Sequence, residues 1–229
     1  MIPGTKAQGI WQGEFRNSLA EEFSAYLARE AARFSVEDTL RLDMHCHDFN
    51  SDTPDELWGR ILGLPETWLK TSKLVKCLRR NGSDVITVTN HNNARSCWTL
   101  LDQGYDVLVG AEFTCYFPEV NLYLHVLTYG FTPQQEVVLQ AKRQNVYDFL
   151  RYAATHDIPV VLPHPLYFYT RNDKIDLELF EKFAVMFQRF EVLNGQRDLW
   201  QSTLTLNWVQ SLTPEKIRAY ARKHKLDPG

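Results

Sequence analysis

Leu40-Arg41-Leu42-Asp43-Met44-His45-Cys46-His47, with Ser51-Asp52 in the loop beyond it, is the stretch whose reading decides the fold. Taken as a β-strand, it puts Arg41, Asp43, His45 and His47 on one face and Leu40, Leu42, Met44 and Cys46 on the other. Imidazoles at i and i+2 then converge at the strand end, where they can share one or two divalent ions. Asp52 can return from the loop as a hard oxygen ligand. The same residues also read as a polar strand end with two solvated histidines, and the pentapeptide alone leaves both readings open.

Upstream, Ser18 and Glu21 match a capping box and predict a helix from near Ser18 to about Phe34, part of an N-terminal helical extension over 1–38. Downstream, Pro54 opens a short segment with Leu57, Trp58, Ile61 and Leu62. A firmer helix follows over about 66–80 and stops at Asn81-Gly82. Asp84-Val85-Ile86-Thr87-Val88-Thr89 is short and β-branched, as a buried parallel strand should be, and delivers Asn90 and His91 at its end. A helix at about 94–103 leads to a strand over 107–112 that ends on Glu112. A hairpin-like return, Leu122 to Gly130, carries His125. A long helix is expected over 133–156, then a strand, Ile158 to Leu162, ending in Pro163-His164-Pro165. His156 precedes that strand and belongs at the opposite end, as a cap or surface residue. A helix near 176–186, a strand from Arg189 to Leu193 carrying Glu191, and helices over about 198–211 and 213–225 complete the chain; Thr213-Pro214 announces the last.

Alternating strands and helices predict an α/β fold with a parallel sheet and right-handed crossovers, barrel or open, in which functional residues gather at the carboxyl ends of strands. His45, His47, His91, Glu112 and His164 all fall at such ends. One histidine alone is more often a hydrogen-bonded structural residue than a ligand. Packing does not need so many imidazoles and carboxylates together, whereas a two- or three-metal hydrolytic centre does.

The 229 residues fit one large domain, and with 44% hydrophobic and 23% charged residues a sizeable core is available. A net charge of −3 offers no broad surface for nucleic acid or anionic membrane, so a phosphorylated partner needs a local site. Cys46, Cys77, Cys97 and Cys115 form no C-x-x-C pair, which argues against a zinc ribbon or disulfide framework. With no apolar leader and no membrane-length apolar run, a soluble cytoplasmic protein is expected.

The order of these residues resembles the PHP (polymerase and histidinol phosphatase) domain family. Asp43-Met44-His45-Cys46-His47 with Ser51-Asp52 matches its first motif, and Thr89-Asn90-His91 its T-D-H motif. Gly110-Ala111-Glu112 with Leu124-His125-Val126-Leu127, then His164-Pro165 and Phe190-Glu191-Val192-Leu193-Asn194-Gly195, follow in order over about 40–195. The resemblance implies a distorted (β/α)7 TIM-like barrel with phosphoesterase chemistry at its C-terminal face. It also implies two or three divalent ions, manganese, zinc or iron, held by His45, His47, Asp52, His91, Glu112, His125 and His164. Glu112 would bridge ions, and His47, Asp52, Glu112 and His164 are carried over as the catalytic group. Arg95, Arg171 and Arg197 follow strand ends and could clamp a phosphate, although each also reads as a solvated loop arginine.

Two departures stand out. Asn90 replaces the usual Asp, and its amide oxygen can still accept a hydrogen bond from an imidazole. No D-x-H motif closes the domain over 39–229, and five main strands are too few for a standard barrel, so it is expected to be incomplete at the C-terminus. A following C-terminal segment, a partner, a second copy or the N-terminal extension would complete it. The leading expectation is a metal-dependent phosphoesterase acting on a small phosphorylated substrate. The alternatives are a catalytically impaired regulatory or assembly module and, last, a carbon–nitrogen hydrolase.

Overall fold

A hairpin organises the centre of the protein, whose computed structural model describes residues 4–35, 37–51, 61, 64–166 and 177–227. Asp52, most of the segment opened by Pro54, and Arg171 lie outside these residues. Strands β1 (Gly110–Phe117) and β2 (Leu122–Tyr129) pair antiparallel, from Gly110 opposite Tyr129 to Phe117 opposite Leu122. A single 3-10 turn, Pro118–Val120, and Asn121 at φ 51° close the hairpin; asparagine tolerates this left-handed backbone better than most residues. Strand β3 (Val160–Val161) adds antiparallel to the other edge of β2, giving the order β1-β2-β3.

The sequence places a strand end at Glu112, but β1 runs on to Phe117 because β2 returns beside it. Phe113, Cys115 and Phe117 are fully buried on the face away from Glu112. Glu112 is thus mid-strand. The expected parallel strands are extended but sparsely paired. Arg41 accepts from Asp84 N and Cys46 from Thr89 N, each at 2.8 Å, joining 40–47 to 84–91. Parallel bridges Ile86–Val107 and His91–Glu112 carry that segment to β1, and Leu162–Phe190 joins the chain after β3 to 189–193. These segments are not regular ladders because buried side chains take backbone positions: Thr89 Oγ1 accepts from Cys46 N at 3.0 Å and Asn90 Oδ1 from Asp48 N at 2.9 Å.

Helix α1 (Gly4–Ala31) begins well upstream of Ser18, which is mid-helix and not a cap. Residues 4–17 contain no proline to stop it, and α1 packs along α7 (Leu199–Ser211), burying Leu19 and Phe23. Helix α2 (Thr71–Arg80) buries Leu74, Val75 and Leu78 and ends at Asn81-Gly82, with Gly82 at φ 88°, as expected. Helix α3 spans Arg95–Asp102. The single helix expected over 133–156 is two, α4 (Pro133–Lys142) and α5 (Val146–Thr155). Asn145 breaks it by turning extended and capping α5, its side chain accepting from Tyr147 N at 3.0 Å. His156 is the exposed C-terminal cap of α5, away from the site. Helices α6 (Leu177–Met186) and α8 (Pro214–His224) complete the fold, α8 capped by Thr213 as its sequence predicts.

The described residues therefore form a mixed α/β fold around a three-stranded sheet, and no closed barrel forms among them. Arg41–His45 and Arg189–Gly195 face one another across a cavity of about 710 Å³. This open side explains why the apolar face of the first segment is poorly covered, with Leu40 76% and Met44 38% exposed. None of the described helices is long and apolar enough to cross a membrane.

Candidate metal centre

Five imidazoles converge on one carboxylate. Glu112 is 1% exposed, and its two oxygens divide the histidines between them. Oε1 lies 3.0 Å from His125 Nδ1 and 3.1 Å from His164 Nε2. Oε2 lies 3.1 Å from His45 Nε2, 3.0 Å from His47 Nε2 and 3.5 Å from His91 Nδ1.

Each ligand candidate is placed by a local cause. The alternation of the first segment sends His45 and His47 to the site while Cys46 packs against the core. The bridge from His91 to Glu112 fixes those two side by side, with Asn92 N donating to Glu112 O at 2.9 Å. In the β1–β2 register His125 stands opposite Thr114, so it shares the Glu112 face as a diagonal neighbour. His164 sits between two prolines at φ 30°, a left-handed conformation that costs on the order of 1–3 kcal/mol. Glu191 holds it there by accepting its backbone N–H at 2.9 Å.

Two further carboxylates back the imidazoles. Glu191 Oε1 is 2.8 Å from His45 Nδ1, and Asn194 Nδ2 donates to Glu191 Oε2 at 3.0 Å. Glu66 Oε2 is 3.3 Å from His47 Nδ1, and its Oε1 is 3.3 Å from His91 Nε2. Sequence reasoning placed Glu191 on a strand without a role and put Glu66 at the start of the helix expected over about 66–80; that helix begins only at Thr71, which leaves Glu66 in the segment before it.

The donor set fits divalent cations. Two groups of ligand atoms, His45/Glu112/His164 and His47/His91/Glu112, are each close enough to surround one ion, and they share Glu112. His45 Nε2 is also 3.0 Å from His47 Nε2. If His45 donates its Nδ1–H to Glu191 Oε1, its Nε2 lone pair faces both another nitrogen and a carboxylate oxygen. Such crowding of acceptors requires added protons or a cation between them. Mixed imidazole and carboxylate donors suit manganese, zinc or iron.

Without an ion, protons do that work. Burial opposes charge on His45, but Glu112 and Glu191 outweigh it and push the pKa up to about 10. Burial likewise opposes charge on His47, and Glu112 and Glu66 again prevail. On His125 burial dominates and lowers the pKa. Burial would raise the carboxyls, yet the imidazoles hold Glu112, Glu66 and Glu191 below the usual carboxylate range. His45 has a folded pKa above its unfolded value of 6.5, so its contribution is complete below that pH and lost as pH rises towards 10. Thermal melts of chelator-treated protein should therefore show a falling Tm between about pH 7 and 10, since each pKa unit is worth about 1.4 kcal/mol. Ion-loaded protein should stay nearly flat there, and a flat profile after chelation would contradict this electrostatic account.

Of the residues expected from sequence, His45, His47, His91, Glu112, His125 and His164 are brought together. Asp52 and Arg171 lie outside the described residues. Arg95 is exposed, its guanidinium donating to Asn50 O at 2.9 Å, where it braces the loop after His47. Arg197 is half-buried beside His164, Glu191 and Asn194 in a small recess. Asn90 does not spend its amide on an imidazole as expected. Its Nδ2 donates to Asp48 Oδ1 at 2.7 Å and to Ser96 Oγ at 3.2 Å, pinning the loop that follows His47. An Asp here would set two carboxylates against each other, which is why Asn suits this position.

No protein-family model matches the chain, and no curated protein sequence does. Among solved structures, it is similar to an amidohydrolase from Chromobacterium violaceum with bound sulfate and no metal, at 12% identity and TM-score 0.46, over 80% of this chain and 84% of that one. It is also similar to a protein from Bifidobacterium adolescentis described as a metal-dependent phosphoesterase, at 12% identity and TM-score 0.41, over the same shares.

Proposed function

We propose that the protein is a metal-dependent phosphoesterase of PHP type, built on an incomplete distorted (β/α)7 barrel over 39–229 with a helical extension over 1–38. The observation that carries this reading is the buried Glu112 carboxylate, shared by two groups of imidazole donors. His45, His164 and Glu112 would hold one divalent ion and His47, His91 and Glu112 another, with His125 on the first oxygen of Glu112. Asp52 is the sequence candidate for a further ligand. Ions bound there supply a water of lowered pKa and polarise a phosphoryl oxygen. The chain itself contributes orientation: Glu191 fixes His45 and the His164 backbone, and Arg197, beside His164, would neutralise a phosphate oxygen. Arg95 and Arg171 are the other sequence candidates for phosphate. The substrate is a small phosphomonoester such as a nucleotide, and manganese, zinc or iron serves as the ion. The open side between Arg41–His45 and Arg189–Gly195 favours one second reading, a module that binds ions without turnover and acts in regulation or assembly.

The test is to count metal per chain and to assay a panel of mononucleotides and generic phosphomonoesters, with His47→Ala as control. The expected result is ion-dependent hydrolysis that falls at least about 100-fold in the variant. A wild type that stays metal-free and inactive after incubation with manganese and zinc would sink the proposal, as would unchanged activity in His47→Ala. Bound ions without hydrolysis would support the second reading.

A further inference from the structure

Glu66 is a half-buried carboxylate that meets the centre through two imidazoles, those of His47 and His91. It reaches the site from the segment before α2, which is tied to the metal-side loop at two places. Leu69 O accepts from Phe49 N at 2.9 Å, and Thr71 Oγ1 donates to Asp48 Oδ2 at 2.5 Å. Asp48 directly follows His47, so these bonds set Glu66 at a fixed distance from the ligand strand.

The contacts of Glu66 are symmetrical. Its oxygens lie 3.3 Å from His47 Nδ1 and 3.3 Å from His91 Nε2. The opposite nitrogens of the same rings, His47 Nε2 and His91 Nδ1, lie 3.0 and 3.5 Å from Glu112 Oε2. Each ring is therefore held between two carboxylates, and a neutral imidazole carries one N–H and one lone pair. If the N–H faces Glu66, the lone pair faces Glu112 and the ion that shares it. The two rings use different nitrogens for the metal side, so chance pairing with a common tautomer does not produce the arrangement.

We propose that Glu66 is a positioning residue that clamps His47 and His91 together, fixing opposite tautomers of the two rings so that both present a lone pair to one ion at Glu112. The proposal rests on reading the site as a metal centre. Outer carboxylates of this kind typically govern ligand orientation and basicity, and losing one costs about 10–100-fold in metal affinity. Glu66 acts on the His47/His91 ion alone, since Glu191 performs the corresponding task for His45.

Glu66→Gln tests it, because glutamine keeps the shape but offers one acceptor where the two rings need two. Mn²⁺ titration by calorimetry, with bound metal counted at saturation, should resolve two binding steps in the wild type. His91→Ala identifies which step belongs to the His47/His91 ion. The expected result for Glu66→Gln is a 10–100-fold weakening of that step, the other step unchanged, and the same number of ions at saturation. Loss of one ion at saturation would overturn the proposal by making Glu66 a direct ligand. Two unchanged steps would overturn it as well, and equal weakening of both would mark a general structural effect instead. A wild type that binds no ion removes the metal reading itself, which separates that failure from the failure of the clamp. Melting of the metal-free variant at the wild-type temperature, within a few degrees, is expected and shows that the fold is not the source of the change.

Discussion

Glu112→Gln will weaken the binding of both ions, by about 10²-fold to a few thousand-fold in affinity. Glu112 is buried and serves both ligand groups, one oxygen towards His125 and His164 and the other towards His45, His47 and His91. Glutamine retains one acceptor and turns an NH₂ group towards the other set, where it faces the cation with the wrong polarity. Removing one partner of a buried charge pair costs about 3–5 kcal/mol, and about 1.4 kcal/mol is a decade in affinity. Metal content after equilibration at micromolar ion, together with titration, measures the effect. A variant that keeps one ion at wild-type affinity would show that the two groups do not share this carboxylate. The same variant should also lose part of the pH-dependent stability of the metal-free protein, because one of the two carboxylates that hold a proton on His45 is gone.

The next residue behaves in the opposite way. Phe113 is fully buried, with its ring centroid 5.8 Å from Phe131 and 5.3 Å from Phe149. Phe113→Ala removes a ring packed against Phe131 and Phe149 and leaves a cavity, costing about 3–5 kcal/mol. Against a typical domain stability of about 5–15 kcal/mol this is a large fraction, so urea unfolding should shift to markedly lower midpoints. At low temperature, where the variant remains folded, ion binding should match the wild type. A destabilisation under about 1 kcal/mol would mean that the core relaxes around the cavity. Adjacent residues thus separate function from stability, since successive side chains of β1 point to opposite faces.

Much of the centre is legible in the chain because its ligands sit where local rules put them. His45 and His47 follow from a period of two, His91 and His164 from the ends of short β-branched runs, and α8 from Thr213-Pro214. Other features are invisible locally. Ser18 and Glu21 satisfy a capping pattern, yet α1 continues upstream, where Arg16 lies over the ring of Trp200 in α7, more than a hundred residues later in the chain. Asn90 next to a ligand histidine suggests a partner for that ring, but its amide turns to Asp48 and Ser96. Glu112 marks the end of an apolar run, while the hairpin partner decides that the strand continues to Phe117.

By itself the sequence determined the donor types, their order, and the faces on which His45, His47 and Cys46 lie, since these depend on residue chemistry and backbone periodicity alone. Only the tertiary structure decided that Glu112 stands between all five imidazoles, that Glu66 and Glu191 back them, and that the first and last extended segments leave an open side. Those facts depend on register and on loops returning from distant points of the chain. A difference of one residue in pairing would send Glu112 to the opposite face, and no local pattern records it.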